Sequence, residues 1–544
     1  MQNGTMLPNE GRQRYNLPGR KRLIGGWRAF LVIAWFLAFA VRGFSADSSD
    51  TLLDVLDILQ EKGLLTEAEA ARVKALAEAR RTNAPPQLPP IQSKWKIGDA
   101  IKRLELFGDL RLRYEDRQAH VPDGGRVELD RGRYSVRIGL RGDAFDNVYY
   151  GVRVETASNP RSPWVTFGTS SSGIPYQGPF GKSTGGINIG QVYLGLRPTD
   201  WLDITVGKMA NPLYTTPMVW DSDLNPEGAA ERFKYTVGQA DFFATFGQFL
   251  YQDNNPSLAS AGLGFNGGLA QSGDTLFQLA WQGGVNYHFA KDVSAKVAAT
   301  LYNYIGLDTD ASPYFGDTFV GEGSYQGPGS VQPYNGYSGY GTSSTFFNYS
   351  SLGFPNNQVG VNDLLILEIP FEVDFKLWKH DARFFGDVAY NLEGKQRAEA
   401  AAAGYNYFLQ NASSPPATIR GFSPQRNDVM AYQFGFALGN MGLVYGTTSK
   451  KGTWEARAYW QHVEQYALDP NLLDSDFFEG RGNLEGVYAA LAYGFTDNVI
   501  GTLRYGHANR INKLLGTGGS NQDMPQLNPI QTYNLMQLDL TFRF

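Results

Sequence analysis

From residue 104 to the last residue, apolar and polar side chains alternate with a period of two, and that alternation leaves few folds open to the chain. Leu104, Leu106, Gly108, Leu110, Leu112 and Tyr114 fall on one face, and Glu105, Phe107, Asp109, Arg111, Arg113 and Glu115 on the other. In RYSVRIGLR, Tyr134, Val136, Ile138 and Leu140 oppose Arg133, Arg137 and Arg141; over 362–377, a row from Leu365 to Phe375 opposes Glu368, Glu372 and Asp374. Soluble antiparallel sheets alternate as well. Here many runs reach about 9–11 residues, the length at which a tilted strand crosses a bilayer.

About 16 such runs can be placed, near 104–115, 131–142, 147–156, 187–197, 201–208, 231–237, 241–250, 276–289, 292–304, 362–377, 381–392, 427–438, 453–463, 485–495, 498–507 and 533–544. Short connections, such as Gly142 to Asn147, Arg197 to Asp200, Lys379-His380 and Thr496-Asp497, alternate with long ones at 157–186, 209–230, 251–275, 305–361, 393–426 and 508–532. Turns on one side and loops on the other belong to a membrane barrel; a β-sandwich has no reason to alternate this way. The stretch 439–452 is long for the turn side. Pro370 predicts a bulge or local distortion, because proline brings no N–H to the ladder. The expected fold is all-β: a transmembrane antiparallel up-and-down β-barrel of about 16 strands over 101–544, preceded by a short α-helical periplasmic segment.

Ahead of the barrel, Arg20-Lys21-Arg22 and Arg28 precede an apolar run from Ala29 to Val41, followed by Gly43, Ser45 and Ala46. This is the layout of a secretory signal, placed over 1–46; at about 13 residues the run is short for a membrane span. Residues 47–82 predict a helical hairpin or oligomerising segment, since Leu52, Val55, Leu56 and Leu59 recur at helical spacing and Thr66 with Glu69 makes a capping box. Pro85-Pro86 and Pro89-Pro90 stiffen a linker over 83–100. The leader is expected to be periplasmic and dispensable for the barrel.

Composition narrows the function classes. The chain carries 48 Lys and Arg against 53 Asp and Glu, a net charge of -5, which offers no electrostatic reason to bind nucleic acid. It has no cysteine, which excludes a disulfide scaffold, thiolate metal sites and cysteine nucleophiles. Its 63 glycines, 34 phenylalanines and 30 tyrosines suit tight turns and interfacial aromatic belts.

Chemical motifs are sparse. Gly262-Leu263-Gly264-Phe265-Asn266-Gly267 matches a dinucleotide fingerprint but lacks a surrounding βαβ unit. His120, His288, His380, His462 and His507 are isolated, and no metal, cofactor or catalytic residue is expected. Asp221-Ser222-Asp223-Leu224-Asn225-Pro226-Glu227 opens like a calcium loop, yet Pro226 stands where glycine is needed and Arg232 where the final glutamate belongs. The favoured reading is an acidic loop folded at or into a lumen, with Asp221, Asp223 and Glu227 as candidate constriction residues. The Gly-, Tyr- and Ser-rich stretch 321–345 predicts an external loop.

The last strand alternates Met536, Leu538, Leu540, Phe542 and Phe544 with Gln537, Asp539, Thr541 and Arg543. A final amphipathic strand ending in phenylalanine looks like the signal read by the outer-membrane assembly machinery, carried by Phe542 and Phe544. Leu540 is expected to face lipid; Asp539 is expected to face the lumen, where a change of charge should cost much less.

Several stretches resemble the bacterial family called putative porins: LLDVLDILQEKGLLTEAEA, FGDLRLRYE, RYSVRIGLRG followed by YYGVRVETASNPRSP, and GKMANPLYTTPMVWDSDLNPEGAA. The resemblance runs from near residue 51 to the terminus and is firmest over 51–240. It implies an outer-membrane channel and names no substrate. The expected function is passive diffusion of small hydrophilic solutes and ions, in contact with outer-membrane lipids, with a homotrimer suggested by analogy with other barrels of this strand number. A structural or adhesive barrel linking envelope layers and a barrel-borne hydrolase remain as alternatives. Arg111, Arg113, Arg133, Arg137, Arg141 and Arg153 are expected to form a basic pore wall. Glu368, Glu372 and Asp374 are expected to form an acidic one, half a circumference away.

Overall fold

A computed structural model describes residues 101–121, 124–157, 162–168, 186–252, 276–305, 363–398, 428–513, 515–517, 523–524 and 530–544. The leader, the glycine motif at 262–267 and the stretch 321–345 lie outside the described residues. The strands are β1 (Ile101–His120), β2 (Arg126–Ala144), β3 (Val148–Ala157), β4 (Val165–Thr166), β5 (Gly186–Thr199), β6 (Leu202–Lys208), β7 (Glu227–Val237), β8 (Ala240–Gln252), β9 (Leu276–Ala290), β10 (Val293–Ile305), β11 (Leu365–Leu377), β12 (His380–Asn391), β13 (Met430–Gly439), β14 (Trp454–Val463), β15 (Leu484–Gly494), β16 (Val499–Arg510) and β17 (Thr532–Arg543).

The two-residue β4 pairs with β2 alone. The other 16 strands form a closed antiparallel barrel, with β17 sealed on β1 from Asp109↔Arg543 to His120↔Thr532. Closure removes every sheet edge, so the strand N–H and C=O groups pair within the wall, as a hydrocarbon surround demands. All 16 period-two segments are strands of this barrel; β4, inside a connection expected to be loop, is the addition.

Pro370 produces the local distortion and not the bulge. The ladder to β12 runs through it without a shift, from Ile369↔Val388 to Phe371↔Gly386. On the β10 side, pairing stops at Val297↔Phe371 and resumes at Thr300↔Glu368 in the same register. The missing N–H therefore interrupts one ladder instead of producing a bulge.

The two faces are inverted relative to a soluble protein. Leu106, Leu140, Leu194, Phe434, Trp460 and Leu503 are exposed outside, whereas Arg113, Glu115, Arg133, Ser135 and Arg137 are buried inside. A lipid exterior and a polar interior impose that inversion. The turns at 145–147, 200–201, 238–239, 291–292, 378–379 and 495–498 gather at one end of the barrel. The long stretch after β13 lies at that same end and folds back inside. Leu443 and Val444 are buried, the Val444 N–H donates to Glu455, and Arg504 donates to the Val444 carbonyl.

Candidate functional site

The connection between β6 and β7, residues 209–226, enters the barrel. Its feet are Gly207 and Gly228, paired across the ladder with φ of +121° and +149°. A Cβ at either would sit 2.3 or 2.1 Å from a neighbouring strand's carbonyl oxygen, so only glycine lets the backbone turn inward here. The loop then reaches opposite walls. The Tyr214 N–H donates to Gln282 of β9 at 2.9 Å. The Thr215 and Thr216 hydroxyls donate to Glu368 of β11 and Asp387 of β12. On the far side, Arg137 of β2 donates to Asp223. Trp220 anchors the middle, buried against Phe249 and Tyr302.

A second inward segment, 464–483 between β14 and β15, packs on the first. The Asp221 N–H donates to Leu472 O at 2.7 Å, and the Asp474 N–H to Pro217 O at 3.4 Å. Asp469 accepts the hydroxyls of Tyr251 and Tyr304, and Asp476 accepts Arg113 of β1 at 2.6 Å. A third segment follows β16: Asp523 faces Arg117, Arg131 and Arg133, while Arg481 donates to the carbonyls of Thr517 and Met524. The loops are thus fastened to the wall by charges that compensate one another, which is what buried charges require.

Burial pushes the Asp474 carboxyl up to about 7, and the nearby Asp476 charge adds to the rise. Burial also raises Asp221 well above the ordinary carboxylate range, reinforced by Asp474 beside it. For Asp476 burial again opposes ionisation, but the Arg113 guanidinium outweighs it and holds the group well below that range.

The predicted basic residues divide into three groups. Arg111, Arg141 and Arg153 lie on the inner face with part of each side chain open, paired to Asp109, Glu105 and Glu155. Arg137 is tied to the loop. Arg113 and Arg133 are enclosed, 2% and 7% exposed, with the Trp164 ring 4.1 and 5.8 Å from their guanidiniums. The opposite wall is mixed, not acidic. Glu372 and Asp374 both bind Arg383 of β12, and Lys296 of β10 lies 3.6 Å over the Tyr214 ring. Glu368 is fully enclosed beneath Thr215, its other oxygen accepting Tyr302 at 2.6 Å.

Asp221 and Asp223 lie in the inward loop, but Glu227 does not. It is the first residue of β7, exposed at the rim and paired with Lys208 at 2.6 Å. The carboxylates of the calcium-like stretch are engaged by the protein itself: Asp223 by Arg137, and Asp221 by the N–H of Asp223. Phe542 and Phe544 are exposed outside, with Phe544 exchanging N–H and C=O with Gly108 at 3.1 Å. The sequence reading missed Arg383, Asp387, Asp474, Asp476 and Asp523. One signal was present, since Asp221-Ser222-Asp223 recurs as Asp474-Ser475-Asp476 and the two copies meet.

A closed barrel that is apolar outside, charged inside and crossed by its own loops has the architecture of an outer-membrane channel. The family described as "Putative porin" matches residues 123–544, and the chain belongs to that family. It resides in the bacterial outer membrane and acts there as a channel. Among solved structures it is similar to Pseudomonas putida OprB at high pH (10% identity, 81% of this chain and 94% of that one, TM-score 0.42). It is also similar to Salmonella typhi OmpF in complex with daunomycin (8%, 82% and 99%, TM-score 0.38) and to in-vitro folded OmpT of Vibrio cholerae (10%, 82% and 99%, TM-score 0.36). No curated protein matches the chain in sequence.

Proposed function

We propose that this porin is a passive, non-enzymatic channel for small hydrophilic solutes and ions, narrowed by loop 209–226. The observation that carries this reading is the loop's course from Arg137 of β2 to Glu368 and Asp387 of β11 and β12. The inner hydroxyls and carboxylates serve as loop anchors: Thr215 and Thr216 donate to acids, and Tyr251 and Tyr304 to Asp469. In this reading solutes pass Arg111, Arg141, Arg153, Glu372 and Asp374, which are among the inner charges that keep some access. Outer-membrane lipids surround the wall, and the assembly machinery reads Phe542 and Phe544.

Planar-bilayer recording tests the proposal. Stable ohmic steps are expected, and shortening the loop between Asn211 and Asp221 should raise the single-channel conductance severalfold. A folded barrel without conductance would support the structural or adhesive alternative. Turnover in a lipid and peptide hydrolysis screen would support the enzymatic one.

A further inference from the structure

On the turn side of loop 209–226, two inward lysines stand beside aromatic rings instead of carboxylates. Lys234 of β7, Phe243 of β8 and Lys296 of β10 each lie three residues from the turn end of their strands. All three are in phase with residues buried inside the barrel: Ala230, Thr245 and Thr300. Arg111, Arg133, Arg137 and Arg153 of β1 to β3 each have a carboxylate within 4.0 Å. Among the described residues, Lys234 and Lys296 have none. The carboxylate opposite Lys296 in the ladder, Glu372, is taken by Arg383 at 2.7 Å.

The rings form a corner around one of these cations. The Lys296 ammonium lies 3.6 Å from the centre of the Tyr214 ring and 5.2 Å from that of Phe243. The two rings stand edge to face, 6.4 Å apart at 87°. Phe243 rests on β9, where its ladder partner is Gly284; a Cβ there would come within 2.3 Å of the ring. The wall thus covers one face of Phe243, and the other turns toward the lumen. Lys234 stands opposite Phe243 on β7 and is exposed, while Tyr214, Phe243 and Lys296 are half-buried. A ring face attracts an ammonium without neutralising it, so the charge stays available to a passing anion.

We propose that this corner is a transient binding site for aromatic monocarboxylates on their way through the channel. The solute's ring stacks on the lumen face of Phe243 beside Tyr214, and its carboxylate meets the Lys296 ammonium, with Lys234 adding to the field. The inference rests on the reading of the chain as an open channel and names a solute class within it. An aliphatic acid finds the ammonium but loses the ring contact; a neutral aromatic finds the ring but brings no counter-charge. Phosphate is a poorer match, because the planar fork that fits its oxygens belongs to arginine, and Arg383 is held by Glu372 and Asp374. A site half open to the lumen also lets its occupant leave, as conduction requires.

Single-channel recording of the full chain in potassium chloride at neutral pH tests this, with benzoate, cyclohexanecarboxylate and benzamide added in turn. Benzoate should interrupt the current at a severalfold lower concentration than either of the others. Lys296→Met should weaken the benzoate block severalfold, and Phe243→Leu should bring benzoate down to the level of cyclohexanecarboxylate. Equal block by benzoate and cyclohexanecarboxylate in the parent chain overturns the proposal. So does a conducting form of either variant that benzoate blocks as it blocks the parent; where one variant does not insert, the other decides. A parent chain that passes no potassium chloride current fails at an earlier step, and overturns the channel reading itself.

Discussion

Asp539 shows how a residue's face and its cost of substitution come apart. It points inward where alternation puts it, yet it is only 4% exposed and lies between two guanidiniums. Arg113 donates to both of its oxygens, at 2.7 and 2.9 Å, and Arg504 donates from the next strand. Asp539→Asn leaves those cations uncompensated in a buried place and should cost about 3–5 kcal/mol. Leu540→Arg, one residue along and facing lipid, should cost about 2–4 kcal/mol. Reversible urea unfolding from vesicles measures both. A cost for Asp539→Asn far below that of Leu540→Arg would mean the inner ion pairs are not formed. The ion pairs with Arg113 and Arg504, with Asp476 of 464–483 closing over Arg113, make a change of this lumen-side charge dearer than alternation alone predicts.

Among the elements, the inward segments carry a contact that responds to pH. Asp474 lies at the contact between 464–483 and 209–226, with its carboxyl pushed up to about 7 by burial and then by Asp476. A carboxyl raised in this way favours the packed state as the neutral acid. Its stabilising contribution is complete below its ordinary value of 3.8 and is lost as pH rises through about 7. Open-channel current noise should therefore grow between about pH 4 and about pH 7 as the loop contact loosens. Asp474→Asn should flatten that dependence, and an unchanged profile in the variant would remove Asp474 from the loop contact. The expected turn at 439–452 yields to the same physics: Leu443 and Val444 gain more from burial inside the barrel than a longer external turn would offer them.

For the whole molecule, selectivity depends on which charges the permeating ion meets. Replacing Arg111 and Arg153 together with Gln should move the reversal potential under a salt gradient toward cation selectivity. Glu372→Gln with Asp374→Asn should move it toward anions. Both shifts should shrink as salt rises and shortens the Debye length. Arg133→Gln, at an enclosed position, should destabilise the barrel and leave selectivity alone; if Arg133→Gln shifted the potential and the Arg111 pair did not, the assigned path would be wrong. Strand number, strand faces, the turn end and the sealing last strand were all legible in the sequence. A lipid exterior and a polar interior act on every second residue, and each strand records that pressure locally. The lumen was not legible in the same way. Arg113 meets Asp476 across 363 residues and Thr216 meets Asp387 across 171, and the loops that join them follow no period. Which inner charges stay open to water was therefore decided by the tertiary fold, because burial inside the barrel depends on where the loops come to rest and not on the strand that carries the charge.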